Sequence, residues 1–457
     1  MVEQFKAHIA TSGLIPKGAT VLVGYSGGAD STCLLDLLGQ CGVDAIAAHL
    51  HHGQRPEADK ELELCAAFCQ QLGVPFMSGR ADVPRLARET GTGLEEAGRH
   101  ARYEFFEQCL TQTGADLVAT AHTLDDHVET VLLNLARGTG LRGLAGIQAK
   151  RGSIVRPLLP FSRAATRAYC EERGLWFHDD PANDDESFAR VRVRKRIVPE
   201  IEAINSAAKS AVARLAQIAD EEDRFLDGMA AAALEQCEDK PNGPLFFLSK
   251  DVEASFDRSA LSAIPSVLFD RGIRLVTGAL GAPFDGVQVG AVSGGLEAGS
   301  SGSVTAEGGE VVVEWTASTV TARRLAVDAP YRFPLTVPGE TASDEFGWVL
   351  TAESTGPEGY QREPKSLDVV LDARAVKGQL YFRSYEPGDT VTPLGFSGTK
   401  EVRGVLSDMG LTDAAKRRLP IVCDLIGPVW IPGGCIADRA KVTDESKDCL
   451  RLKFGPI

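Results

Sequence analysis

Along the first 180 residues, short apolar runs alternate with longer segments whose apolar positions recur every three or four residues. The short runs predict β-strands and the longer, amphipathic segments predict α-helices. Strands alternating with helices at this spacing favour an α/β fold with a Rossmann-like parallel sheet covered by helices on both faces. The predicted strands are 20–25, 44–49, 74–78 and 116–121, and the predicted helices are 31–40, 57–72, 94–111, 124–137 and 163–173. Ligands of such sheets bind beyond the carboxyl ends of the strands, where loops 24–31, 49–55 and 121–129 are expected to meet.

The pattern changes after residue 200. Residues 206–236 and 258–292 predict helices, a Gly/Ser-rich stretch and a hairpin follow at 294–315, and the end of the chain alternates short β-like runs with turns. The polar segment 354–365, with two prolines and two glycines, predicts a linker. We therefore expect an α/β domain, a helical then β-hairpin middle domain and a small β-rich C-terminal domain, over residues 1–204, 205–356 and 365–457.

A glycine turn joins the first predicted strand to the first predicted helix. Its sequence, residues 24–31, is Gly-Tyr-Ser-Gly-Gly-Ala-Asp-Ser. Gly27 and Gly28 let backbone N–H groups converge on a phosphate, and the helix that follows points its positive dipole end at the same place. Asp30 can hold the Mg²⁺ that nucleotide phosphates require. Further hydroxyl donors come from Ser26 and Ser31. The spacing is that of neither Walker A nor G-x-G-x-x-G, and an ordinary Gly-rich turn is the alternative.

A second polar cluster, His122 to Thr130, follows a predicted strand and opens a helix. Asp126 and Glu129 are three residues apart and therefore share a helix face. Together with His122 and His127, they favour a site that handles a metal or another cation. Two alternatives stay open, namely acidic capping of the helix and a zinc site that uses the two histidines.

Composition and net charge argue against several classes of protein. The net charge of −15 over 457 residues argues against a non-specific nucleic-acid coat, but basic clusters at 190–196 and 416–418 leave room for local patches. Each cluster has a solvated charge run as its alternative. No apolar run is long enough to span a bilayer, and no signal-peptide segment opens the chain. Ten scattered cysteines without a C-x-x-C pair indicate a reduced, cytoplasmic protein.

Several of these motifs, in one order, resemble the tRNA(Ile)-lysidine synthetase family of the ATP-pyrophosphatase superfamily. The resemblance covers about the first 200 residues and resumes from Arg383 to Phe454. The similar segments are 26–31, 49–53, 94–103, 122–130, 138–146, 156–159, 180–199 and 383–389, with Lys400, Arg418, Trp430 and 441–443. His127, Ala182 and Val191 stand where the family has Gln, Ser and Asn. None of these departures removes a carboxylate or an arginine.

The resemblance implies an enzyme that ligates free lysine to C2 of the wobble cytidine of CAU-anticodon tRNA(Ile). ATP first adenylates that position through its oxygen and releases pyrophosphate, and the lysine ε-amine then displaces AMP. Its implied catalytic residues are Asp30, Asp126, Glu129 and Arg190. The residues implied to bind ATP are Ser26, Gly27, Gly28, Asp30, Ser31, His49 and Gly138. Asp30 is also the implied ligand of Mg²⁺. The residues implied to contact the substrate or tRNA are Arg99, Arg102, Arg192, Arg194, Arg383, Lys400, Arg417 and Arg418. The last four of these lie in the expected C-terminal tRNA-binding domain. No membrane partner is expected, and a homodimer is left open.

Three other functions compete with this one. A tRNA 2-thiolation enzyme of the same superfamily would need paired active-site cysteines or an iron–sulfur ligand set, and the chain has no C-x-x-C pair. An amide synthetase such as GMP synthetase would need a glutaminase-like segment, which the sequence lacks. A non-catalytic RNA-binding relative would have no use for Asp30, Asp126 and Glu129 together.

Overall fold

The computed structural model describes residues 1–53, 58–179, 185–239, 243–325, 330–357 and 366–457. Contacts within the chain divide it into two units, Met1–Arg224 and Phe225–Ile457. Parts of three sequence predictions lie outside the described residues. They are the end of the predicted 49–55 loop, the positions Ala182 and Asn183, and most of the predicted linker.

A six-stranded sheet organises the first unit. Its strands are β1 (Thr20–Gly24), β2 (Asp44–His51), β3 (Phe76–Arg80), β4 (Leu117–Ala119), β5 (Lys150–Arg151) and β6 (Ile154–Val155). They lie in the order β3-β2-β1-β4-β6-β5, and every pair except β5–β6 is parallel. The strand order therefore reverses between β1 and β4, which is where open α/β sheets bind their ligands.

Helices cover both faces of this sheet, as the alternating sequence pattern predicts. Val21 and Val23 of β1 join one hydrophobic cluster and Leu22 joins another, because successive side chains of a strand point to opposite faces. The helices of the unit are α1 (Val2–Ser12), α2 (Ala29–Gln40), α3 (Ala58–Leu72), α4 (Val83–Thr90), α5 (Leu94–Thr113), α6 (Leu124–Ala136), α7 (Leu141–Leu144), α8 (Arg163–Arg173), α9 (Ala189–Arg192) and α10 (Val198–Ile204). The predicted α/β class is confirmed.

Local chemistry explains where predicted boundaries hold and where they shift. Helix α8 has the predicted bounds, because Ser162 Oγ accepts a hydrogen bond from the Ala165 N–H at 3.2 Å and Gly174 ends it at a φ of 63°. Strand β3 begins two residues later than predicted, because the Val74 N–H still bonds the Cys69 carbonyl at the end of α3. Helix α4 was not predicted, although Asp82 caps it and Pro84 lies in its first turn, both of which are local signals for the start of a helix.

The second unit begins within the long helix α11 (Ala208–Cys237) and continues into an antiparallel sheet packed on helices. The predicted helix over 258–292 is three helices, because Pro265 and Pro283 interrupt it. Gly294 and Gly295, predicted as loop, lie inside the third helix, where a Cβ at Gly295 would collide with the Trp315 ring. The elements are β7 (Glu253–Asp257), α12 (Arg258–Ser262), α13 (Ser266–Ala279), α14 (Gly286–Glu297), β8 (Gly302–Thr305), β9 (Val311–Trp315) and β10 (Thr319–Arg324).

The rest of this unit is rich in β-strands, as predicted, and surrounds one core that contains Trp348 and Trp430. Two sheets have the orders β11-β15-β18-β19-β20 and β12-β13-β21-β14. The elements are β11 (Arg332–Pro334), β12 (Gly339–Ser343), β13 (Trp348–Thr355), β14 (Asp368–Asp372), β15 (Tyr381–Arg383), β16 (Thr390–Val391), β17 (Lys400–Glu401), α15 (Val402–Asp408), α16 (Asp413–Arg418), β18 (Ile421–Cys423), β19 (Pro428–Ile431), β20 (Cys435–Ile436) and β21 (Cys449–Pro456).

Strand pairing crosses the segment that we predicted to be a linker. Strand β13 pairs with β21 along its whole length, from Trp348 opposite Pro456 to Thr355 opposite Cys449. The predicted domain boundaries at 356 and 365 stay predictions, but a cut there would leave β13 without this partner. Among the described residues, no helix combines the length and apolar character needed to cross a membrane.

Candidate active site

The glycine turn lies between the carboxyl end of β1 and the first turn of α2. Gly27 has a φ of 78°, and a Cβ there would stand 2.8 Å from Cys65 Sγ, so both conformation and space favour glycine. Ser31 Oγ donates to the Gly28 carbonyl at 3.0 Å and shares a 3.1 Å hydrogen bond with Ser26 Oγ. Five predicted nucleotide-binding residues therefore lie together: Ser26, Gly27, Gly28, Asp30 and Ser31. Their backbone N–H groups and the α2 dipole suit an anion.

The two other predicted nucleotide-binding residues lie in different places. His49 is buried at the carboxyl half of β2, and its Nδ1 donates to the Tyr25 carbonyl at 2.9 Å, next to the turn. Burial lowers the pKa of His49, so its ring is neutral at pH 7. Gly138 follows α6 and has a φ of 75°, so its observed role is to end that helix.

Helix α6 carries the predicted acidic pair. Asp126 Oδ2 accepts hydrogen bonds from the Thr123 backbone N–H at 2.9 Å and from Thr123 Oγ1 at 2.8 Å. Asp126 Oδ2 therefore caps the helix, as the alternative interpretation proposed. The other oxygen, Oδ1, takes no part in the cap. Glu129, one turn along the same face, is 1% exposed. A carboxylate this deeply buried needs cationic partners.

Arg163 supplies the partner that sequence analysis missed. Its Nη2 lies 2.7 Å from Asp126 Oδ1, its Nη1 lies 3.2 Å from Glu129 Oε1, and its Nε lies 3.6 Å from Asp30 Oδ2. One guanidinium thus joins the glycine turn to the acidic face of α6. One turn further along α8, the Thr166 hydroxyl donates to Asp30. A sequence feature could have revealed Arg163, because a cation in the first turn of a helix opposes the helix dipole and calls for nearby acids.

The arginine-rich segment supplies the remaining cations. Residues Val193–Ile197 form a single π-helical stretch between α9 and α10, a distortion found often at functional sites. Arg194 Nε and Nη2 donate to Glu129 Oε1 and Oε2 at 2.7 and 3.1 Å. Arg190 Nη2 donates to Thr130 Oγ1 at 2.8 Å, and its Nε lies 3.7 Å from Glu129 Oε2. Arg192 is exposed.

The carboxylates differ in their tendency to hold a proton. Burial raises the pKa of Asp30 to about 6, and the charge of Asp126 adds to the rise, against the Thr166 hydrogen bond and Arg163. Burial also acts to raise the pKa of Asp126, but Arg163 and the Thr123 donors outweigh it, so this pKa lies below its usual value. Asp126 therefore remains ionised at neutral pH and is suited to holding a cation.

The two histidines of the predicted cluster are occupied by structural hydrogen bonds. His122 Nδ1 shares a 2.9 Å hydrogen bond with Thr120 Oγ1, and burial lowers the pKa of His122 to about 4. His127 Nδ1 accepts a hydrogen bond from the Ile147 N–H at 3.1 Å, which ties the following loop to α6. In the part of the chain that the structure describes, no group of three His, Cys, Asp or Glu side chains is arranged to hold a metal ion. The zinc alternative is therefore not supported.

The predicted tRNA contacts fall into two groups. Arg383 is buried, and its two terminal nitrogens each donate to Asp389 at 2.7 Å, so it braces a turn and is not available to phosphates. The expectation that Arg383 contacts tRNA does not fit this burial. Arg194 is likewise engaged in hydrogen bonds to Glu129. Exposed or partly exposed cations remain at Arg99, Arg102, Arg192, Lys400, Arg417 and Arg418.

The parallel sheet and its glycine turn at the switch point are those of a nucleotide-binding PP-loop domain, and the PP-loop domain family matches residues 1–201. Relatives named tRNA(Ile)-lysidine synthase match nearly the whole chain. The one from Geobacillus kaustophilus is 30% identical over 457 residues, which cover 95% of this chain and 94% of the relative. The one from Geobacter sulfurreducens is 30% identical over 474 residues, 98% of this chain and 95% of the relative. The chain belongs to the tRNA(Ile)-lysidine synthase family.

One relative is more similar over a shorter stretch. The tRNA(Ile)-lysidine synthase of Thermus thermophilus is 41% identical over 221 residues, which cover 48% of this chain and 43% of the relative. The family predicted from the motifs is thereby confirmed, and the thiolation enzyme is not favoured.

Proposed function

We propose that the protein uses ATP to ligate free lysine to C2 of the wobble cytidine in tRNA(Ile) with a CAU anticodon. The products are lysidine in the tRNA, AMP and pyrophosphate. One observation supports this proposal above the others: Asp30 of the glycine turn and the acidic pair Asp126 and Glu129 meet at a single guanidinium. A site suited to phosphates and a site suited to an ammonium group therefore lie side by side.

In the first step, the C2 oxygen of the cytidine attacks the α-phosphate of ATP. A phosphorus–oxygen bond forms, and the bond to the pyrophosphate leaving group breaks. The glycine turn and the α2 dipole would stabilise the negative charge on the phosphates, and Arg190 would contribute a guanidinium. The target base must leave its stack, which costs little in a single-stranded anticodon loop.

Asp30 fits the role of a Mg²⁺ ligand, because it is one carboxylate beside a phosphate turn, the usual protein contribution to such a site. Mg²⁺ would neutralise charge on the nucleotide phosphates when bound. With a pKa of about 6, Asp30 is mostly ionised at pH 7 and can serve in this role.

In the second step, the lysine ε-amine attacks C2, a carbon–nitrogen bond forms, and the bond between C2 and the AMP oxygen breaks. Free lysine has an ε-amine pKa of ~10.4 and so enters as a cation. Asp126 and Glu129 would hold this cation and then accept its proton, which leaves a neutral nucleophile.

The exposed cations of both units would bind tRNA phosphates, which supply affinity and register but not base identity. Arg99 and Arg102 on α5 and Arg192 would serve near the anticodon, and Lys400, Arg417 and Arg418 would serve the C-terminal region. All ten cysteines are free thiols, which suits the cytoplasmic location that we propose.

The direct test incubates the full-length protein with labelled lysine, ATP and tRNA(Ile) bearing a CAU anticodon. The proposal expects lysine to enter the tRNA, with one AMP released for each lysine incorporated. A transcript that differs only by uridine at the wobble position is the matched control and should accept none. Equal labelling of the two transcripts, or ATP cleavage without any labelling, would contradict the proposal.

A further inference from the structure

Protein donors already occupy most of the acidic pair that should receive the lysine ammonium group. Asp126 Oδ2 is taken by Thr123, and Asp126 Oδ1 by Arg163 at 2.7 Å. Glu129 Oε1 accepts from Arg163 and Arg194, and Glu129 Oε2 accepts from Arg194. An ammonium group brings three donors and no acceptor. Asp126 Oδ1 and Glu129 Oε2 each accept one of these hydrogen bonds and keep one acceptor site, which leaves two sites for three donors. All three ammonium donors can therefore bind this pair only where a protein donor leaves.

Arg163 is the donor best placed to leave. Thr123 is buried at the helix cap and Arg194 is held by two hydrogen bonds to one carboxylate, whereas Arg163 spreads single contacts over three acids. The Arg163 side chain is 29% exposed, so it can be reached from solvent. Its departure would free Asp126 Oδ1 and part of Glu129 Oε1, while Thr123 and Arg194 kept both carboxylates in position.

The nucleotide site lies within reach of the same guanidinium. Arg163 Nε is 3.6 Å from Asp30 Oδ2, and Asp30 occupies the first turn of α2, directly after Gly28 and Ala29. Phosphate oxygens bound at this helix terminus would compete with the carboxylates for Arg163. Arginine forms strong, bidentate hydrogen bonds with phosphate.

We infer that Arg163 occupies the lysine ammonium subsite in the free enzyme and gives it up to the phosphates when ATP binds. The inference rests on the proposed function and adds to it an order of events, since lysine binds well only after the nucleotide. Arg163 is thus a positioning residue that couples the two sites. The coupling keeps the amine out until the electrophile can form.

Calorimetric titration of lysine into the full-length enzyme tests the coupling. Titrations are made without nucleotide and with saturating ATP and Mg²⁺, with tRNA left out so that adenylation cannot proceed. We expect ATP to tighten lysine binding about tenfold or more, within the usual range of coupling between sites. We expect lysine to bind nucleotide-free Arg163→Gln within about threefold of the ATP-loaded wild type, with little further gain from ATP.

Two further variants separate this role from a loss of stability. Arg163→Lys offers one ammonium in place of a planar fork and should retain only part of the coupling. The matched control is Arg323→Gln, which breaks a bidentate arginine–glutamate pair with Glu314 in the second unit and should leave the coupling unchanged. Circular dichroism checks the fold of each variant.

Equal lysine affinity of the wild type with and without ATP would overturn the inference, as would wild-type coupling in Arg163→Gln. If Arg163→Gln does not fold, the wild type still decides, because saturating lysine must tighten ATP binding by the same factor. Lysine incorporation into tRNA without coupling would contradict only this inference. Absence of incorporation would contradict the proposed function itself.

Discussion

Arg194 holds the carboxylate of Glu129 with two hydrogen bonds, at 2.7 Å from Nε to Oε1 and at 3.1 Å from Nη2 to Oε2. The π-helical stretch that carries Arg194 places the guanidinium over helix α6. Arg192 and Arg194 lie in one basic segment, for which the sequence predicts a single role in binding tRNA. The structure separates them, because Arg192 is exposed and Arg194 is engaged with a buried acid.

This separation makes Arg192 and Arg194 a matched pair for mutagenesis. We expect Arg194→Gln to raise the KM for lysine by about tenfold or more, because Glu129 loses the donor that fixes its orientation. We expect Arg192→Gln to leave that KM unchanged and to weaken tRNA binding. Steady-state kinetics with varied lysine, together with filter binding of tRNA, distinguishes the two. Identical effects of both substitutions would contradict the separate roles of Arg194 in orienting Glu129 and of Arg192 in binding tRNA.

Substitution of the acidic pair tests whether it binds lysine or only caps α6. Asp126→Asn and Glu129→Gln should each raise the KM for lysine, since each removes a negative charge from the ammonium subsite. Asp285→Ala is the control, because it removes the capping box of α14 in the second unit, at a cost of about 0.5–2 kcal/mol, and leaves both carboxylates and their donors unchanged. It should lower the melting temperature and spare the KM. If neither acid substitution moves any kinetic parameter for lysine, the two carboxylates are structural caps.

The buried ion pair between Asp424 and Arg439 should be a main stabilising contact of the second unit. Asp424 is fully buried and accepts two hydrogen bonds from Arg439, both at 2.7 Å, besides the N–H of Lys377 at 2.9 Å. We expect Asp424→Asn to cost about 1.5–3 kcal/mol, since Arg439 and the backbone donors lose a charged acceptor. Asp368→Asn, which breaks an equally bidentate but exposed pair with Arg451, should cost at most ~1 kcal/mol. Equal shifts in thermal unfolding would show that burial does not matter here.

The same pair has a defined pH dependence. Burial acts to raise the pKa of Asp424, but Arg439 and the backbone donors outweigh it, so the pKa in the folded state lies below its usual value. The stabilisation is therefore present above the unfolded pKa of ~3.9 and is lost as the pH falls through the folded value. Asp424→Asn should remove this part of the acid dependence of unfolding.

Charge reversal tests the C-terminal tRNA surface better than truncation does, because a cut near Gly356 would separate β13 from β21. Lys400 and Arg417 are exposed, and Lys400 lies 5.7 Å from the centre of the Phe396 ring. We expect Lys400→Glu with Arg417→Glu to weaken tRNA binding and to reduce its salt slope by roughly 0.7–0.9 for each phosphate that the protein no longer neutralises. ATP binding should be unchanged. An unaltered salt slope would mean that these side chains are only solvated surface.

The sequence predicted those parts of the fold that depend on local patterns. The glycine turn, the acidic helix and the bounds of α8 follow from neighbouring residues, capping chemistry and motif spacing. The ion pairs of Arg163 depend instead on packing between α8, α2 and α6, which no local pattern reports. The pairing of β13 with β21 and the fit of Gly295 against Trp315 are likewise interactions between distant segments. The burial of Arg383 also could not be predicted, because a buried and an exposed arginine look alike in a sequence.

ATP activates the tRNA at one end of the proposed site before lysine attacks from the other. The most direct test of this order incubates the enzyme with tRNA(Ile) and ATP labelled in the α-phosphate, without lysine, and then adds lysine. We predict that label accumulates on the tRNA as pyrophosphate is released, and that lysine then discharges it as AMP. Asp30→Ala, correctly folded by circular dichroism, should label no tRNA. Release of AMP at the same rate without lysine, or near-normal labelling by Asp30→Ala, would contradict the account.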